Sequence, residues 1–89
     1  MKNETELVNK WAIEIKVLRD SFDENYMLFL DDEKEGYFDM MISYKDRILK
    51  FYECMEDIVY YTDIKMKGLY QYTKATVNHV YDVMDSLYN

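Results

Sequence analysis

The sequence has no proline and only two glycines among its 89 residues. Folds rich in β-strands or loops need such residues at their many turns, so these absences argue against both classes. A single cysteine cannot form a disulfide within the chain, which favours a reducing compartment. No apolar run approaches the roughly 18 residues that a membrane-spanning helix needs, and no secretory signal is recognisable near the first residue. We therefore expect a cytoplasmic protein that does not associate with membranes.

Residues that commonly carry catalysis are also scarce. The one histidine, His79, and the one cysteine, Cys54, lie 25 residues apart with no motif that links them. Zinc sites need several such ligands, and di-iron bundles need two Glu-x-x-His pairs. No glycine-rich phosphate loop and no hydrolase nucleophile motif occurs. We expect Cys54 to be a buried thiol and His79 to lie on a solvated helix face, with Asp82 as a neighbour.

One acidic segment has the spacing of a calcium-binding loop. Asp31, Glu33 and Glu35, followed by Gly36, occupy positions 1, 3, 5 and 6 of an EF-hand pattern. Position 12, which should supply a bidentate glutamate, is Ile42. The segment is therefore interpreted as an acidic turn, and we expect no metal, no cofactor and no enzymatic activity.

What the chain does contain is a helical apolar pattern that occurs three times. Apolar residues recur at spacings of three and four, which places them on one face of an α-helix. The pattern predicts an all-α protein with one domain, 1–89, and helices over about 4–30, 37–61 and 63–88. The expected core comprises Val8, Trp11, Ile15, Leu18 and Phe22, then Phe38, Met41, Ile48, Tyr52, Met55 and Val59, then Met66, Leu69, Tyr70, Thr73, Val77, Val80, Met84 and Leu87. Leu7, Ala12 and Val17 widen the first stripe.

Polar residues predict where the helices begin and end. Asn3 with Glu6, and Asp32 with Glu35, have the spacing of capping boxes. The apolar pattern breaks between Asp31 and Gly36, which we interpret as the first turn. Thr62 or Asp63 is expected to cap the third helix.

Two architectures fit this pattern. Three segments of similar length favour a compact antiparallel three-helix bundle. A seven-residue repeat also runs in register from Phe38 to Leu87, so the second and third segments could form one long helix. Such a helix would span roughly 75 Å and would require an oligomeric coiled coil. The weak helix formers between Tyr60 and Gly68 favour the bundle.

The charge is strongly negative and unevenly distributed. The formal net charge is −7, and ten of the 18 acidic residues lie within residues 1–35. Such a chain repels phosphate backbones and anionic lipids, so we expect no direct binding of nucleic acid. The carboxylates expected to bind a basic protein surface are Asp20, Asp23, Glu24, Asp31, Asp32, Glu33 and Glu35. A solvated face that only confers solubility is the alternative interpretation.

Tyrosine and methionine are abundant, with ten and seven copies. Both residue types suit contacts between proteins, because tyrosine needs one polar contact and methionine adapts to irregular surfaces. A second stripe along the middle helix and two tyrosines near the end of the chain are therefore the expected self-association surface, and a homo-oligomer is expected. These residues are Tyr37, Tyr44, Phe51, Tyr81 and Tyr88.

These features favour a non-catalytic binding protein. Its acidic residues would occupy a basic surface, such as that of a nucleic-acid-binding protein, and thereby inhibit or regulate the partner. Lysine outnumbers arginine nine to two, and the residue usage is that of an AT-rich gene, as in phages and plasmids of low-GC bacteria. A self-assembling structural subunit is the main alternative, and a carrier of a small ligand held between the helices is a third.

Overall fold

The computed structural model describes residues 2–58 and 64–88, which form three α-helices and contain no β-strand. Helix α1 spans Lys2–Asp32, α2 spans Glu35–Ile58 and α3 spans Ile64–Tyr88. The helices pack side by side as an antiparallel bundle whose longest dimension is 47 Å. This matches the roughly 46 Å expected for the 31 residues of α1. The predicted all-α class and three-helix bundle are confirmed.

The packing of α2 against α3 excludes the single long helix. The hydroxyl oxygens of Tyr52 and Tyr70 lie 3.3 Å apart, although the residues are separated by 18 positions. In one continuous helix, 18 positions would separate them by about 27 Å. The chain therefore folds back between the two helices. The predicted core residue Val59 and the predicted caps Thr62 and Asp63 lie outside the described residues.

The buried apolar side chains form two adjoining clusters, and all of them belong to the predicted core stripes. One cluster contains Leu18, Phe22, Met41, Ile48, Val77, Val80 and Met84, and the other contains Ile15, Met55, Met66 and Leu69. Two buried threonines on α3 satisfy their hydroxyls within the helix, since Thr73 donates to the Leu69 carbonyl at 2.8 Å and Thr76 to that of Tyr72 at 3.0 Å. Predicted core residues at the margins, such as Trp11, are half-buried.

The turn between α1 and α2 is tighter than predicted. Glu33 adopts a left-handed backbone with φ of 53°, and its N–H donates to the Phe29 carbonyl at 2.7 Å. This is the hydrogen bond of a left-handed helix C-cap. Because Glu33 reverses the chain, Gly36 is not needed as a turn residue and lies in the first turn of α2. The turn thus lies within the predicted segment Asp31–Gly36, but only residues 33–34 separate the two helices.

Two predicted helix caps are also corrected. Asp32 is the last residue of α1, so it does not cap α2. Helix α1 begins at Lys2, so Asn3 lies within the helix and not in front of it.

Candidate protein-binding surfaces

Four of the predicted partner-binding carboxylates meet where α1 ends and α2 begins. We call Asp31, Asp32, Glu33 and Glu35 the acidic corner, and all four are exposed. Lys34 is the one base among them, and its Nζ lies 3.9 Å from Asp32 Oδ2 in a solvent-exposed pair. Exposed ion pairs of this length contribute little to the stability of a fold. The corner therefore presents a dense negative charge that the neighbouring side chains leave almost uncompensated.

Most of the corner residues are unfavourable for the stability of the local backbone. Asp31 and Asp32 lie at the negative end of the α1 dipole, and the last turn of α1 has no basic residue. An acidic residue in this position costs roughly 0.3–1 kcal/mol. Glu33 adopts the left-handed conformation that usually falls to glycine or asparagine. Glu35 lies in the first turn of α2, where the positive end of the helix dipole favours an acidic residue. Three of the four corner residues are thus poor local choices for stability.

The acidic surface continues along the outer side of α1. Asp20, Glu24 and Asp31 follow one another at spacings of four and seven, so they lie on one helix face. All three are exposed. Asp20 forms an ion pair with Lys16 one turn earlier, with Nζ and Oδ2 3.2 Å apart. This face leads directly into the acidic corner.

Asp23 points in a different direction and bonds within the fold. Its Oδ1 accepts a hydrogen bond of 2.7 Å from Nε2 of His79 on α3. The His79 ring also contacts Phe22 edge to face, with centroids 6.3 Å apart. The expectation of a solvated His79 beside Asp82 is therefore wrong, because the ring is half-buried between α1 and α3. A contact between residues 56 positions apart leaves no local signal in the sequence.

The five residues predicted for self-association have different surroundings. Tyr37 on α2 is half-buried, and Tyr44 and Phe51 on the same helix are half-buried against the core. Tyr81 and Tyr88 on α3 are 45% and 71% exposed. Tyr88 also touches Phe38, with ring centroids 6.1 Å apart. Part of the predicted surface is thus used for folding, and its role in self-association stays a prediction.

A second feature, which the sequence did not predict, is an apolar groove of about 560 Å³ between α1 and α2. Its α1 wall consists of Trp11, Ile13, Glu14, Val17 and Leu18, and its α2 wall of Arg47, Lys50, Phe51 and Cys54. Trp11 and Phe51 pack edge to face, with centroids 6.0 Å apart. The groove is open to solvent and lined mostly by apolar atoms.

Two sequence expectations are corrected at this groove. Val17 was expected to widen the buried stripe of α1, but it is 56% exposed, because it precedes the buried Leu18 by one position and so points about 100° away from the core. Cys54 is exposed and not buried, because it precedes the buried Met55 by one position and so points about 100° away from the core. The groove thus combines exposed aliphatic side chains with an accessible thiol.

Tyr52 and Tyr70 form a polar contact between α2 and α3. Their rings stack with centroids 5.4 Å apart and planes inclined by 12°. The hydrogen bond with Tyr70, helped by partial burial, raises the pKa of Tyr52 to about 12. Tyr52 therefore stays neutral near pH 7, and its contact with Tyr70 joins α2 to α3.

Comparison with known proteins identifies no relative of this chain. No family model, curated protein or solved structure matches this chain significantly. Within residues 2–58 and 64–88, no three His, Cys, Asp or Glu side chains are grouped as metal ligands would be. No helix in the same ranges is long and apolar enough to cross a membrane. The function must therefore be argued from the acidic corner and the groove.

Proposed function

We propose that this chain is a non-catalytic binding protein that presents its acidic corner to a basic protein surface. The observation that carries the proposal is the corner itself, where four of five consecutive residues are exposed carboxylates. Asp31 and Asp32 end the 31-residue α1 and Glu35 begins α2, so the two packed helices fix the backbone on both sides of the corner. Such an array suits a partner whose lysines and arginines are arranged to bind a run of phosphates.

The poor local fit of these carboxylates supports the proposal. Residues that break a local rule of stability without a compensating contact in the fold are typical of functional sites. Asp31, Asp32 and Glu33 do so together, and all three are exposed. By occupying the phosphate-binding side chains of a nucleic-acid-binding protein, the chain would act as an inhibitor or regulator. The residue usage of an AT-rich gene agrees with a phage or plasmid origin for such a protein.

A displacement assay tests this function. Purified basic DNA-binding proteins are each bound to a fluorescein-labelled DNA duplex, and the chain is added while fluorescence anisotropy is recorded. We expect at least one of these proteins to release its duplex, because the chain and the DNA compete for the same cations. The variant Asp31→Asn, Asp32→Asn, Glu33→Gln should lose about tenfold or more in potency, since close interfacial charges are strongly coupled.

A matched variant controls for net charge. Glu6→Gln, Glu53→Gln and Asp57→Asn also remove three exposed carboxylates, but these lie away from the corner. The control should keep its potency within about threefold, as expected for long-range steering alone. Equal losses in the two triple variants would show that net charge and not the corner determines binding. If none of the DNA-binding proteins releases its duplex, the proposed partner class is wrong.

A further inference from the structure

The groove between α1 and α2 carries opposite charges on its two walls. Glu14 lies on the α1 wall, whereas Arg47 and Lys50 lie on the α2 wall. None of the three takes part in an ion pair within the described part of the chain. An anionic ligand would face Glu14, and a cationic ligand would face Arg47 and Lys50. The groove therefore suits an occupant that itself carries both signs.

The α1 wall also exposes two large aliphatic side chains. Ile13 and Val17 are 65% and 56% exposed, and they lie one helical turn apart. The opposite wall offers Phe51, whose ring is half-buried and accessible from the groove. Each copy of the chain thus has a projecting aliphatic pair beside a recess of similar apolar character. Contiguous exposed apolar surface of this kind commonly marks an interface.

We infer that the groove is a self-association surface and that its occupant is the same groove of a second copy of this chain. A two-fold axis that runs along the groove would set the α1 wall of each copy against the α2 wall of the other. Glu14 of one copy would then face the cations of the other, and Ile13 and Val17 would cover the other copy's Phe51. The contact is isologous, so every complementary pair occurs twice. The inference uses no residue of the acidic corner and does not depend on the proposed function.

The chain contains its own reporters for this contact. Trp11 and Cys54 are its only tryptophan and its only cysteine, and both line the groove. Covering the groove should shift the emission of Trp11 to shorter wavelength and slow the alkylation of Cys54. Both changes should appear as the concentration of the chain is raised, because dimerisation depends on concentration.

Sedimentation equilibrium of the full chain, from low to high micromolar concentration, tests the inference. We expect a monomer–dimer equilibrium that Ile13→Ser weakens by about tenfold, as expected for an apolar side chain central to an interface. Met27→Ser is the matched control, since Met27 is 61% exposed on the same helix but lies outside the groove. The control should change the dissociation constant by less than about twofold. Far-ultraviolet circular dichroism checks that both variants retain their helices.

Exchange of the charges tests the two-fold arrangement. Glu14→Lys alone would make both walls cationic and should weaken the dimer by about tenfold. Adding Arg47→Glu and Lys50→Glu restores opposite signs on opposite walls, so the triple variant should return to within about threefold of the original chain. Non-specific apolar association would not produce this recovery.

Several results would overturn the inference. These are a monomer at all concentrations, a dimer that Ile13→Ser leaves intact, and equal effects of the Ile13 and Met27 variants. A dimer lost only in Tyr81→Ser, Tyr88→Ser would place self-association on α3 instead. A monomer whose Trp11 emission shifts on adding dodecanoate or an acidic amphipathic peptide would assign the groove to another occupant.

Discussion

The two halves of α1 expose different kinds of unfavourable surface. Its carboxyl-terminal end carries Asp31 and Asp32 against the helix dipole, whereas its amino-terminal half holds Ile13 and Val17 in water. Added salt screens the unfavourable charge at the first surface, and association removes the apolar side chains of the second from water. The comparison teaches that one helix can serve two separate contacts. The groove shares side chains with the core, but the acidic corner does not, so mutations should affect the stability of the fold very differently at the two places.

The largest effect is expected at Trp11, where the groove meets the core. Trp11 is half-buried and packs against Phe51 and the second core cluster. Because truncation of a fully buried tryptophan costs about 3–5 kcal/mol, Trp11→Ala should lower the free energy of unfolding by about 2 kcal/mol. Urea denaturation followed by circular dichroism measures the change, at concentrations low enough to keep the chain monomeric.

Ile13→Ala provides the comparison within the same groove. Ile13 is mostly exposed, so its truncation should alter the free energy of unfolding by less than about 0.5 kcal/mol. Similar losses at Trp11 and Ile13 would contradict the packing of Trp11 against the core and the exposure of Ile13.

At the acidic corner the expected change has the opposite sign. Asp31→Asn together with Asp32→Asn should raise the free energy of unfolding by about 1 kcal/mol, because two carboxylates no longer oppose the α1 dipole. Denaturation at low ionic strength gives the clearest reading, since salt screens the effect. The gain should shrink as salt is added.

Glu6→Gln with Glu53→Gln removes the same charge from exposed positions outside the last turn of any helix. This pair should leave stability within about 0.3 kcal/mol of the original chain. An equal gain in both pairs would show that relief of the net charge, and not the position at the helix end, stabilises the bundle.

The smallest effect is expected at the Tyr52–Tyr70 contact between α2 and α3. The pKa of Tyr52 is raised from 10.0 to about 12, with the hydrogen bond to Tyr70 as the largest cause. Above pH 10 the unfolded chain loses this proton first, so stability falls as the pH rises from 10 to 12. Tyr70→Phe should make this fall shallower, whereas Tyr81→Phe, at an exposed position, should leave it unchanged. Indistinguishable pH profiles would refute the assigned role of Tyr70.

The sequence predicted the core better than the surface, for physical reasons. The spacing of three and four residues identified Ile15, Phe22 and Met55 because burial on a helix follows its period. The turn lies where it was predicted but is shorter, because glutamate at position 33 adopts a conformation for which glycine is the usual signal.

Contacts between helices could not be predicted in the same way. The His79–Asp23 bond depends on how α3 is rotated against α1, which no local pattern encodes. The groove was missed because Val17 borders the apolar stripe, and the exposure of a residue at that border depends on where the neighbouring helices pack. The predicted acidic residues are exposed at the corner, although what they bind stays a prediction.

The salt dependence of displacement tests the central claim most directly. For a DNA-binding protein that releases its duplex to the chain, the direct affinity of the two proteins is measured over a series of salt concentrations. If the corner supplies the contact, the affinity should fall steeply with salt for the original chain and clearly less steeply for the variant Asp31→Asn, Asp32→Asn, Glu33→Gln. Equal salt dependence of the affinity for the original chain and for the triple variant would contradict the claim that the corner carboxylates bind the partner.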